Sequence, residues 1–168
     1  MSHSYYIFQD WNANKRNLKG RLIMLLFRIA HLATINKFVK ILLIPYLIFY
    51  RIIIEWILGV ELQFQVKADR NLKIWHGQGL VVHKSTIIGA NCTLRQGVTI
   101  GNKKNPDGSK SAGAVLGDNI DVGANVVIIG SIKIASNCII GAGTIVTKSF
   151  EKPAIIAGNP AKVLKYVN

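Results

Sequence analysis

Ile88-Gly-Ala-Asn-Cys-Thr runs straight into Leu94-Arg-Gln-Gly-Val-Thr and then Ile100-Gly-Asn, so an aliphatic residue returns at every sixth position. After an interruption the phase resumes with Leu116-Gly-Asp-Asn-Ile-Asp and Val122-Gly-Ala-Asn-Val-Val. Ile128, Ile134, Ile140 and Val146 then continue it without a slip. The fifth place of each hexad holds a small or β-branched residue: Thr86, Cys92, Val98, Ile120, Val126, Ile132, Cys138 and Thr144. Three short flat strands per turn make a triangular coil with the aliphatic residue inside and the small residue where the walls converge. Gly or Asn at the corners supplies backbone angles that other residues adopt at a cost. Stacked coils bury a continuous core that no single hexad could bury. A β-sandwich would space its turns by about 8–12 residues instead.

Outward from the repeat, the texture changes at Gly59. Leu18, Leu22, Leu25, Leu26, Ile29 and Leu32 recur at helical spacing. A second helical stretch is expected from Lys37 to Leu58, kinked at Pro45 and stopped by Gly59. The expected organisation is a helical region over 1–60 and a β-helix over 61–168. Its polar excursion, at about 102–114, is rich in Gly, Pro and Lys.

Composition bounds the partners. Of 168 residues, 21 are basic and 8 acidic, a net charge of +13 that favours polyanions: nucleic acid, acidic lipid or a phosphorylated cofactor. The basic residues are spread along the chain with no recognised nucleic-acid module, so nucleic acid is not expected. Cys92 and Cys138 have neither metal-binding nor paired spacing, which suits a reducing compartment. The chain opens without a leader-like pattern, and a cytoplasmic protein is expected. The longest uncharged apolar run, Ile41 to Tyr50, is ten residues, short of the roughly 20 that a bilayer span needs. Lying on the cytoplasmic face of a membrane remains open to the basic-apolar helical region.

The repeat resembles that of the hexapeptide-repeat acyltransferases, whose parallel β-helix is left-handed. Ile74-Trp-His-Gly-Gln-Gly, the stretch from Tyr50 to Gln63 and the ending Ala157-Gly-Asn-Pro-Ala-Lys-Val carry the likeness further. It covers nearly the whole chain from Asp10 onward. Within the family, serine acetyltransferase and the short capsule and colanic-acid O-acetyltransferases look similar. The resemblance implies a mainly β, left-handed parallel β-helix with an N-terminal α-helical segment. It also implies a homotrimer with acetyl-CoA in a groove between subunits, direct attack by the acceptor, and no metal.

Four histidines compete for the role of base. His3 lies in the terminal segment, His31 on the amphipathic helix and His83 in a polar stretch. His76 stands apart, because two extra residues disturb the repeat between Ile74 and Val82 and because it matches the family's catalytic base. An imidazole titrates near working pH and can take a hydroxyl proton when a second group fixes its tautomer. Glu61, fifteen residues earlier, is the expected orienter; the plainer reading is a junction carboxylate. Cys92 and Cys138 occupy inward positions, which makes a thiol nucleophile the weaker alternative. For the cofactor, Gly123, Ala124, Gly141 and Ala142 offer small corners, and Lys148, Lys162 and Lys165 could meet phosphates.

Two departures from serine acetyltransferase bear on the acceptor. Trp75 stands where that enzyme has an Asp before the base, and Ala112-Gly113 where it has an Arg-His pair. Both charged handles for an amino acid are missing. An aromatic face suits the C–H face of a pyranose, so Trp75 and Gln78 are the expected acceptor contacts and a sugar hydroxyl in capsule or exopolysaccharide synthesis the expected acceptor. The rival readings are a serine O-acetyltransferase and a non-catalytic scaffold.

Overall fold

The computed structural model describes residues 5–167, so His3 lies outside the described residues. From Val60 onward the chain winds into a parallel β-helix with three faces. The first face stacks β1 (Val60–Leu62), β4 (Leu80–Val82), β7 (Thr99–Gly101), β10 (Val127–Ile129) and β13 (Ile145–Val146). The second stacks β2 (Lys67–Ala68), β5 (Ile87–Ile88), β8 (Val115–Leu116) and β11 (Lys133–Ile134). The third holds β3 (Lys73–Ile74), β6 (Thr93–Leu94), β9 (Asp121–Val122), β12 (Ile139–Ile140) and β14 (Ala154–Ala157), closed by antiparallel β15 (Lys162–Tyr166).

The register measures each coil. Val81 pairs with Thr99 and Val115 with Lys133, steps of 18 residues, or three hexads. Val60 pairs with Leu80, a step of 20, because His76-Gly77 is inserted before β4. Ile87 pairs with Val115, a step of 28, which places the long excursion between β7 and β8. The hexad phase translates directly into burial. Leu94, Ile100, Val122 and Ile128 are fully buried, and so are the fifth-place residues Cys92, Val98, Val126, Cys138 and Thr144.

The corner between second and third faces is built from asparagine. Asn71, Asn91, Asn119 and Asn137 all take left-handed angles, with φ of 61°, 58°, 56° and 62°. Asn tolerates this region because its short amide bonds locally. Here the amides bond to one another instead. Asn71 Nδ2 donates to Asn91 Oδ1 at 2.9 Å, Asn91 to Asn119 at 3.0 Å and Asn119 to Asn137 at 2.9 Å.

The N-terminal region differs in part from expectation. Residues 5–16 form turns, not helix; α1 (Leu18–His31) starts behind an Asn17 cap whose Oδ1 accepts from Gly20 N at 2.9 Å. The second stretch is α2 (Lys37–Leu42), a break at Leu43, then α3 (Ile44–Tyr50) with Pro45 in its first turn, where a missing N–H costs nothing. A π-helical turn, Arg51–Ile57, follows, and Gly59 at φ 64° ends it.

The turns before α1 close the open end of the β-helix. Arg28, fully buried, donates to Asp10 (2.7 and 3.1 Å) and to the carbonyls of Ala68 (2.6 Å) and Asp69 (2.7 Å). Asp10 accepts from Leu72 N at 2.8 Å, while Asn14 bonds Leu72 O (2.9 Å) and Ile74 N (3.1 Å). The edge groups of β3 thereby find partners. Gly20 lets α1 touch this edge, since a Cβ there would stand 2.7 Å from Ile74 O.

Candidate active site

The corner between third and first faces carries the residues singled out by the sequence. Backbone bonds run up it from Gly97 N to Gln78 O (2.9 Å), Asn125 N to Gln96 O (3.0 Å) and Gly143 N to Ala124 O (2.8 Å). Gln78, Gln96, Ala124 and Ala142 therefore stack in one row. The row beside it contains Trp75, Arg95, Gly123 and Gly141, as the register of β3, β6, β9 and β12 requires. Large polar side chains fill the lower end of this corner and Gly or Ala the upper end.

His76 sits at the foot of the corner on the two-residue insertion. Gly77 N donates to Trp75 O at 2.7 Å, closing a γ-turn around His76, whose φ is 60°. Apart from Arg16, every other described residue with a side chain and positive φ is Asn. A turn of this hand is strained for a residue with a Cβ and costs about 1–3 kcal/mol. The result is an exposed imidazole with no hydrogen bond to any described residue. Its ring lies 6.0 Å from that of Trp75, and Lys73 Nζ covers Trp75 at 4.7 Å. Lys19, Gln78 and Gln96 line an open recess with His76. Gln96 Oε1 is buried there without a partner, a condition that costs about 1–3 kcal/mol unless something else donates to it. Neither Lys19 nor Gln96 stood out in the sequence; Lys19 reads as a surface helix residue, and only the coil stacking sets Gln96 beside Gln78.

Among the described residues no hydrogen bond joins Glu61 to His76. The insertion lengthens the first coil from 18 to 20 residues, so Glu61 pairs with Val81, five residues beyond His76 and out on the first face. Its carboxylate accepts from Gln63 Nε2 at 3.0 Å, and Gln63 in turn accepts from Lys84 N at 3.2 Å.

The other expected residues divide. Gly123, Ala124, Gly141 and Ala142 share the corner, and Lys162 follows the Gly158–Ala161 turn stacked above it, where Ile145 N donates to Gly158 O at 3.0 Å. Lys148 lies across the first face at the next corner, over Phe150 at 5.8 Å, and Lys165 is out on β15. Gly123 has a packing role as well, because a Cβ there would stand 2.5 Å from Ala142 N. The excursion between β7 and β8 leaves from the opposite edge of the first face, pinned by a Lys104–Lys110 bridge.

The remaining candidates have structural roles. Cys92 and Cys138 are fully buried, and burial pushes the Cys92 thiol up to about 11, so neither is a nucleophile. His31, expected at a surface or interface, is half-buried with Nδ1 2.7 Å from Phe64 O, and burial pulls its pKa below 6.5. His83 is bonded to Ser85 Oγ at 2.8 Å. Among the described residues no cluster of His, Cys, Asp or Glu offers a metal's ligand set.

Eighteen-residue coils stacked on three faces, with an exposed imidazole beside a corner that narrows to Gly and Ala, define a hexapeptide-repeat β-helix. The family model for the hexapeptide repeat of succinyl-transferase matches residues 81–103, 109–129 and 115–148. The protein called colanic acid biosynthesis acetyltransferase WcaB of Escherichia coli is 33% identical over 161 residues, covering 94% of this chain and 98% of its own. The chain belongs to the hexapeptide-repeat acetyltransferase family and is an acyl-CoA-dependent acyltransferase. A serine acetyltransferase of Staphylococcus aureus is 34% identical over 113 residues, 64% of this chain and 49% of that enzyme. The fold is shared with the serine acetyltransferase of Neisseria gonorrhoeae (TM-score 0.79, 24% identity), covering 95% of this chain and 66% of that one. The soybean enzyme gives 0.76 at 23%, covering 93% and 66%.

Proposed function

We propose that this chain moves an acetyl group from acetyl-CoA to a sugar hydroxyl in capsule or exopolysaccharide synthesis, with His76 as general base. The observation that carries the reading is the strained, exposed imidazole of His76, which lines an open recess with Lys19, Gln78 and Gln96 and has the Trp75 ring 6.0 Å away. In this scheme the acceptor oxygen attacks the thioester carbonyl while His76 takes the hydroxyl proton. The tetrahedral intermediate collapses, the C–S bond breaks and the leaving thiolate receives that proton, giving an ester and free coenzyme A. Trp75 faces the sugar, and Gln78 and Gln96 hydrogen-bond its hydroxyls. Lys19 adds a cation suited to an acidic or phosphate-linked sugar.

The donor lies along the graded corner. Its pantetheine arm runs past Ala124 and Ala142, beside Gly123 and Gly141, and its phosphates meet Lys162. An arm on an exposed corner needs a second wall, which a neighbouring copy supplies in a homotrimer. Lys148, at the next corner of its own chain, would then serve an adjacent groove. Glu61 is kept as the residue that orients His76 when the acceptor is bound. We assign residues 1–60 to packing and surface contact, residues 61–168 to catalysis, and the enzyme to the cytoplasm.

A second reading, serine O-acetylation, is favoured by the likeness to the staphylococcal enzyme. Trp75 in place of an acidic residue argues against it. The two are separated by thiol release from acetyl-CoA with a panel of glycans, nucleotide sugars and L-serine. Turnover on a glycan with none on serine is expected; efficient serine acetylation with glycans ignored overturns the sugar assignment.

A further inference from the structure

Half of the large apolar side chains that the described residues expose lie between Ile35 and Ile57. Phe38 is 76% exposed, Trp56 75%, Leu42 68% and Ile57 67%, and Ile48 and Phe49 join them. In the β-helix most residues of these types point inward, with Ile87, Ile139 and Leu164 among the exceptions. Contiguous apolar surface of this kind marks an interaction site, and no helix of the described residues is long and apolar enough to cross a membrane.

Charge decides the occupant. Lys37 and Lys40 stand exposed on α2 among these side chains, and from Ile35 to Ile57 the acidic residue is Glu55, which is ion-paired with Arg51 at 3.3 Å. The face is thus apolar with a net positive charge, on a chain of net charge +13. Two copies of it set against each other would repel, whereas an anionic bilayer surface attracts the lysines and takes up the aromatic and aliphatic side chains. Beside it a groove of about 450 Å³ runs between α3, the π-helical turn and the first coil, lined by Leu47, Ile52, Phe64, Lys40 and the Arg51–Glu55 pair. That is room for part of an acyl chain with its headgroup phosphate near Lys40.

We infer that the helical face from Ile35 to Ile57 docks the protein on an anionic membrane surface. This stands independently of the acceptor assigned above. A protein held there works where membrane-bound acceptors are concentrated.

The test is flotation of the full-length protein with vesicles of phosphatidylcholine alone or with 30% phosphatidylglycerol, alongside sedimentation velocity. Co-flotation with the anionic vesicles only, weakened by salt, is expected. Replacing Lys37 and Lys40 by Ala should weaken it about 25-fold, near fivefold for each charge. Phe38→Ser with Trp56→Ser should abolish it while leaving the oligomeric state and acetyl transfer to a soluble acceptor unchanged. Failure to float with anionic vesicles overturns the inference. So does dissociation of the oligomer by the Phe38→Ser/Trp56→Ser pair, which would make a second copy the occupant. Loss of turnover with flotation intact would count against the catalytic reading alone.

Discussion

Two corners run the length of the same β-helix and are built on opposite rules. At one, Asn71, Asn91, Asn119 and Asn137 repeat a single solution, and each amide finds its partner in the next coil. At the other the coils change along the length: Gln78 and Gln96 stack at the lower end, and Ala124 and Ala142 at the upper. Among the described residues His76 has no hydrogen-bond partner, and Gln96 Oε1 is buried without one. Thr86 Oγ1 shares that condition inside the coil. A corner that repeats and satisfies itself is architecture. The one that changes along its length and exposes His76 is where we place the ligands.

The sharpest way to break this contrast is at His76. His76→Ala should lower kcat/KM about a thousandfold, as for loss of a general base, while the melting temperature holds, since Ala keeps the Cβ that strains the γ-turn. A transferase that kept its rate would reduce the second corner to architecture as well. On the asparagine side the effect should invert. Asn91→Ala forces a Cβ-bearing residue without an amide into φ 58° and cuts two ladder bonds. It should cost about 2 kcal/mol of stability with turnover per folded molecule unchanged, and Asn91→Gly should recover part of that.

Gln96→Met sharpens the comparison from the other direction. Removing the buried unpartnered oxygen should leave stability equal or higher by up to about 1 kcal/mol, and raise the acceptor KM about tenfold. Unchanged KM with lowered stability would show Gln96 to be a packing residue. The smallest effect separates two histidines by pH. Burial lowers the folded pKa of His31, so the folded state binds fewer protons than the unfolded. Its contribution is present above pH 6.5 and lost as pH falls below that value. Denaturant midpoints between pH 5 and 8 should show this slope, and His31→Gln should flatten it without moving the pH–rate profile.

Both corners were legible in the sequence to different depths. The asparagine corner follows from the hexad itself, since phase kept over many repeats fixes which residue turns the chain. His76 was found through the break in that phase, yet the same break changes the register that a partner assignment depends on. Fifteen residues look like a near-full coil only if the coil is 18 long; at 20 it carries Glu61 out along the face, into the reach of Gln63. The turns from Asp10 to Asn17 were invisible because their partners, Leu72 and Ile74, lie some sixty residues on, and no local period marks such a pairing. The helical half shows a different limit. Its 3.6-residue pattern announces helix correctly, but an apolar stripe reads as core whether it meets protein or something else.

The Asp10–Arg28 turns and the antiparallel β15 hold one further consequence. Identical rungs carry no instruction to stop, so the number of coils is set at the ends and not in the middle. One end is finished by groups that bond the last free edge, the other by a strand that reverses direction. Growth or loss of a whole 18-residue rung between these terminators leaves both intact. Lineages built this way can lengthen or shorten the groove that a ligand sees without redesigning the fold around it.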